Sequence, residues 1–169
     1  MDHDDAGLYF QQAHAAGFDV PSVGASSLTY QTMIDLAGPE ALQNLYIDVT
    51  FNPYSEDEDV IKFNEAFDEK WGTEDIPSEN CGNSYNIVYA WAQAIEEGAT
   101  KENVAQWIKN TTDAKEDTFV IEKSLVGDGL TFESQGDLTP RGTYVLKVSE
   151  DGQFVTHDEQ VDLTGLTLQ

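Results

Sequence analysis

The groups able to do chemistry in this chain are sparse apart from its acids. Three histidines, His3, His14 and His157, are far apart and show no metal-ligand spacing. A surface or core role fits each of them. Cys81 stands alone, which excludes an internal disulfide and a cysteine-based zinc site. A small buried filler is the plain reading of it. Asp57-Glu58-Asp59 lacks the glycine and the closing glutamate of a calcium loop. Gly127-Asp128-Gly129 is a turn signal without the lysine and hydroxyl of a phosphate loop. No Gly-x-Ser-x-Gly elbow is present. Paired carboxylates occur everywhere among 32 acids, so their pairing singles out no general acid or base. These tests point away from an enzyme, and neither a cofactor nor a metal is expected.

The elements that must position the polar groups follow from periodicity. Residues 4–16 read as a helix, with Leu8, Phe10, Ala13 and Ala16 at apolar spacing and Gly17 closing it. Phe18–Gly24 reads as a short strand that runs into a Ser/Thr-rich loop, Ala25–Tyr30. A short helix over Gln31–Leu36 follows, and Pro39 suits a first helical position. Leu45–Phe51 is a strand by composition, stopped by Asn52-Pro53. A helix over Asp57–Lys70 carries Val60, Phe63, Ala66, Phe67 and Trp71 on one face, which reads as core. Tyr85–Ile95 contains no charge and is apolar at most positions, which predicts a buried helix over 83–97 covered on most sides. Asn83 or Ser84 is expected to cap its start and Gly98 to end it, and Thr100 to cap the next helix, 100–110. Beyond Asp113 the pattern becomes strands: Thr118–Ile121, Leu130–Phe132, Thr143–Val148 and Gln153–Thr156. Turns are expected at Gly127–Gly129, Gly136-Asp137 and Asp151-Gly152. Residues 157–169 carry little pattern.

The order of these signals resembles a known family. Phe10–Gly17, Leu36-Ala37-Gly38-Pro39-Glu40-Ala41 before Leu45-Tyr46, Phe63–Phe67 with Trp71-Gly72, Ser84–Tyr89 through Ala94-Ile95, and Leu130-Thr131-Phe132 with Gly136-Asp137 carry the likeness. Together they are similar to type I periplasmic binding proteins, nearest the branched-chain amino acid (Leu/Ile/Val-type) solute-binding proteins of ABC importers. The resemblance implies an α/β fold made of portions of two Rossmann-like lobes joined by hinge strands, incomplete relative to the family. On that template residues 1–46 are part of the second lobe and 47–52 a hinge strand. Residues 53–142 are then part of the first lobe, and 143–169 a hinge strand returning to the second.

The same resemblance implies the ligand contacts. These are His3 and Asp5 before and on the first helix, Ser26 and Ser27 after Gly24, and Asn80 and Tyr85 at the start of the uncharged helix. At Ser26 the amino acid binders carry an acid that pairs with the ligand ammonium. Simpler readings stand beside these: a solvated terminus, turn-forming serines, and a core tyrosine. The implied function is an extracytoplasmic receptor for a small polar organic solute, such as a branched-chain amino acid or amide. It would work by hinge closure and hand its solute to a membrane permease. The implied location is the periplasm or cell surface, with a signal or anchor in an amino-terminal part of a longer protein. The alternatives are the ligand-sensing domain of a receptor or regulator, and a truncated remnant without function.

Charge bounds the partners. The 8 basic residues against 32 acids leave a net charge of -24, which disfavours nucleic acid and anionic lipid. Acids spread along the chain fit a solvated surface of halophilic type, stable where salt screens self-repulsion. The melting temperature is therefore expected to fall below about 0.1 M salt, where the Debye length exceeds roughly 10 Å. Each kcal/mol of unscreened repulsion lowers it by about 2–4 °C in a chain of this size. Calorimetry across a sodium chloride series measures this, and a melting temperature independent of salt removes the idea.

Overall fold

The computed structural model describes residues 3–72, 77–115, 119–126, 130–132, 138–140 and 142–162. Helix α1 (His3–Ala15) ends at Gly17, whose φ of 75° is the left-handed conformation that glycine takes without strain. Strand β1 (Ser22–Ala25) and strand β2 (Leu45–Val49) pair in parallel. A crossover containing helix α2 (Gln31–Ala37) and a 3-10 turn opened by Pro39 joins them. Along β2 the side chains alternate as a half-buried strand should: Leu45, Ile47 and Val49 are buried and Asp48 is exposed. Strand β1 is shorter than Phe18–Gly24, because Phe18 and Val20 lie exposed before the pairing begins at Ser22.

Helix α3 (Glu58–Trp71) is capped by Asp57, whose carboxylate accepts from the Asp59 N–H at 2.8 Å. Helices α4 (Glu79–Glu96) and α5 (Val104–Lys115) follow. Strands β3 (Phe119–Ile121), β4 (Leu130–Phe132) and β5 (Leu138–Pro140) form an antiparallel sheet in that order. Strand β6 (Gly142–Val148) returns antiparallel to β2, and β7 (Phe154–Asp162) pairs with β6. The second sheet thus runs β1-β2-β6-β7. Strand β7 continues well past Thr156, into the stretch whose sequence shows little pattern. The turns expected at Gly127–Gly129 and Gly136-Asp137 lie outside the described residues.

Two apolar layers follow from these sheets. Beneath α1 and α2, Met33, Leu42, Leu45, Ile47 and Leu146 form a core with essentially no exposure. Around α4, Ala90 packs with Ile121, Val126 and Leu130, while Ala94 packs with Ile108 and Phe119. A smaller cluster of Phe51, Val60 and Leu125 sits where the chain leaves β2.

Helix α4 corrects the reading of a helix buried on most sides. Its buried residues are Gly82, Asn86, Ala90 and Ala94, one strip at spacing four. Ile87, Val88, Trp91 and Ile95 are exposed by 43–66%. The helix packs through its small residues because its neighbours come close. A Cβ built on Gly82 would lie 2.4 Å from Cγ of Phe51. Asn86, the polar member of the strip, accepts the buried Leu125 N–H at 2.8 Å. The caps also differ. The helix starts after Ser78, and the Ser84 hydroxyl donates instead to the Asn80 carbonyl at 2.7 Å within it. At α5 the Asn103 side chain accepts the Thr100 N–H at 2.7 Å, so the helix begins at Val104, not at Thr100. In α3, Val60 is buried and Phe63 and Phe67 half-buried, but Trp71 at the end of that face is 62% exposed.

Two outcomes test this packing. Gly82→Ala is expected to destabilise the fold by about 1–3 kcal/mol through overlap with Phe51. Ile87→Ala, on the outer face of the same helix, stays within about 0.5 kcal/mol. Urea unfolding of both variants measures the contrast, and equal effects would contradict the small-residue interface. The second concerns Tyr54, which lies against Phe154 with ring centroids 6.1 Å apart. Burial pushes its phenol from the ordinary 10.0 up to about 12. Folding favours the neutral phenol, so its contribution is whole below pH 10 and is lost as pH rises to about 12. Tyr54→Phe should make the alkaline decline of the melting temperature shallower in that window, and an unchanged decline would remove this account.

Candidate functional site

Parallel strands present their carboxyl ends, and the loops that follow them, on one side of a sheet, where α/β folds take ligands. Strand β1 ends at Ala25 and continues into a 3-10 turn, Ser26–Leu28. Its Leu28 is buried and anchors the turn, which leaves Ser26 half-buried and Ser27 exposed. Strand β2 ends at Val49, and Thr50 follows. Facing these loops is the start of α4. A helix leaves its first N–H groups without internal partners, and the Ser78 side chain forms no capping bond here.

A cavity of about 220 Å³, open to solvent, lies among these ends. His3, Ser26, Ser27, Thr29, Tyr30, Ser78, Glu79 and Asn80 line it. His3 at the start of α1 stacks on Tyr30, with ring centroids 4.4 Å apart and planes inclined by 25°. Its Nε2 also lies 3.4 Å from the Asp4 carboxylate. The Thr29 hydroxyl donates to the Ser26 carbonyl at 2.8 Å and closes the turn. Oε1 of Glu79 accepts from the Thr50 N–H at 3.0 Å and from the Thr50 hydroxyl at 2.5 Å. This pair of bonds ties the first residue of α4 to the carboxyl end of β2. The wall is thus hydroxyls, an amide, an imidazole over a phenol ring, and one carboxylate. Such a surface can hydrogen-bond a small polar molecule from several sides.

Of the six residues singled out in the sequence, four line this cavity: His3, Ser26, Ser27 and Asn80. The other two lie elsewhere. Asp5 is exposed on α1. Tyr85 sits more than a turn further along α4, where it meets Phe63 edge-on at 5.3 Å and Tyr89 at 4.5 Å. It belongs with the cluster around Phe51, as the core reading of it had it. Burial pushes its phenol up, whereas the hydrogen bond from Lys123 to Tyr89 pulls that phenol down. Both rings are off the cavity. Thr29, Tyr30, Ser78 and Glu79 went unread. Each adjoins a residue that was read, or stands one apart from it, so the loop and the helix start were visible but not their full extent. Among the described residues no group of three or more His, Cys, Asp or Glu side chains is placed to hold a metal ion. No helix among them is long and apolar enough to cross a membrane.

The architecture defines a class, that of α/β receptors with a solute cavity at the carboxyl ends of parallel strands. Comparison with known proteins places the chain within it. Residues 1–153 match the family model described as "Periplasmic binding protein", and the chain belongs to that family. Among curated proteins none matches significantly. Solved structures share the fold. The leucine-binding protein LivK from Thermotoga maritima superposes with a TM-score of 0.72 at 20% identity, covering 98% of this chain and 44% of that one. The branched-chain amino acid transporter substrate-binding protein LivJ from Streptococcus pneumoniae, solved with isoleucine, gives 0.67 at 19%, covering 92% and 43%. A fatty acid ABC transporter substrate-binding protein from Thermomonospora curvata gives 0.70 at 17%, covering 95% and 41%. The chain therefore spans less than half the length of these neighbours.

Proposed function

We propose that the chain is part of an extracytoplasmic solute receptor of an ABC importer, and that it binds a small polar organic solute, such as a branched-chain amino acid or amide, without transforming it. The observation that carries this reading is the convergence of His3, Ser26, Ser27 and Asn80, from three separate segments, on one polar cavity. A ligand site needs such convergence, since a few placed polar groups fix the orientation of what is bound. The polar wall favours an amino acid or amide over a fatty acid. In this reading residues 1–46 and 143–169 serve one lobe and 53–142 the other. The paired strands β2 and β6 carry the crossing, and closure about them encloses the solute before it passes to a membrane permease.

The test is a titration of the 15N-labelled chain with L-leucine, L-valine and their amides, followed by amide chemical shifts. Resonances of Ser26, Ser27 and Asn80 should move on binding, while Ile121 in the distant sheet stays still. Asn80→Ala and Ser26→Ala should each weaken the interaction by up to about tenfold, the worth of one hydrogen bond. Binding that leaves the cavity resonances unmoved, or no binding at millimolar solute, defeats the reading.

A further inference from the structure

We infer that Glu79 is the specificity-determining group of this cavity and that it selects solutes bearing an ammonium group. The inference rests on the binding reading above. Of the residues lining the cavity Glu79 is the sole carboxylate, and no lysine or arginine is among them. Its charge is set in place and not left to wander in solvent. The two bonds from Thr50 converge on Oε1, and among the described residues Oε2 receives no bond. One oxygen is thus committed to the scaffold and the other keeps its full capacity as an acceptor. Glu79 is also the first residue of an 18-residue helix, where the unpaired N–H groups favour an ionised side chain.

The remaining lining cannot do this work. The hydroxyls of Ser26, Ser27 and Thr29 accept hydrogen bonds from an ammonium but carry no charge to balance it. Charge-assisted hydrogen bonds are roughly twice as strong as neutral ones. A solute that offers only a carboxylate meets the Glu79 charge with no fixed cation to offset it, whereas an ammonium meets a fixed anion and several neutral acceptors. Selection by charge follows from the composition of the wall.

The experiment uses three probes of one shape: L-leucine, 3-methylbutylamine, which lacks the carboxylate, and 4-methylpentanoate, which lacks the ammonium. Each is titrated into the 15N-labelled chain and into Glu79→Gln, which keeps an oxygen for Thr50 to donate to and removes the charge. The parent chain is expected to bind the amine at least tenfold more tightly than the acid, with leucine also above the acid. Glu79→Gln should lose tenfold or more for leucine and the amine and lose nothing for the acid. If the acid binds the parent chain as well as the amine does, Glu79 does not select and this inference falls, while the solute-binding reading stands. The same holds if Glu79→Gln binds all three unchanged. If no probe moves any cavity resonance, both fall together. Because the probe series is read on the parent chain too, a variant that fails to fold leaves the comparison decisive.

Discussion

The joint between the end of β2 and the start of α4 governs much of this structure. Phe51 is fully buried, and its ring lies so close to Gly82 that no side chain fits between them. Thr50, one residue earlier, binds Glu79, three residues before Gly82. The apolar contact and the polar one are therefore two halves of one attachment. The first sets how near the helix approaches and the second sets where along the strand its end stops. Interiors packed to crystal-like density cannot absorb a shift at such a contact. The same attachment delivers Glu79 and Asn80 to the cavity, so the packing of α4 and the geometry of the site are one constraint.

How much of this was legible in the sequence depended on whether the signal was local. Strand β2 alternates, α3 has its aspartate cap, and α1 closes on a glycine, so each lies where local chemistry puts it. Four cavity residues were found because they flank helix starts and a strand end within a familiar order of motifs. Glu79 was not, since one acid among 32 carries no signal and its partner Thr50 is 29 residues away. The burial of α4 was misread for a related reason. Apolar content predicts that a helix can be buried, but the face that packs is chosen by fit, and here fit required Gly82, Ala90 and Ala94. Strand β5 and the far end of β7 owe their pairing to partners, not to their own composition, as β propensity is context-dependent.

The charge of the chain bears on the site as well. With 8 basic residues in the whole chain, cations are scarce, and several lie over aromatic rings. The Lys123 ammonium lies 4.4 Å from the centre of the Tyr89 ring, and that of Lys147 lies 4.8 Å from the centre of Tyr46. Lys62 is paired with Glu58 at 3.1 Å on an exposed helix turn, where such a bond contributes little. A cavity in this protein has few bases to draw on, so an anionic solute would have to be held by backbone N–H groups and hydroxyls alone.

Fold likeness does not choose among solutes. Neighbours of nearly equal TM-score carry names that range from leucine binding to fatty acid transport, and a fold hosts whatever its site residues permit. The choice has to come from the wall of the cavity. An aliphatic chain would gain from apolar lining, and this cavity presents His3 on Tyr30 as its main apolar surface. Serine and threonine hydroxyls, Asn80 and an anchored carboxylate make up the rest. Each of these groups loses hydration when a solute displaces water and regains it only through a polar partner. A solute with several hydrogen-bonding groups gathered at one end satisfies that requirement, and a long hydrocarbon does not.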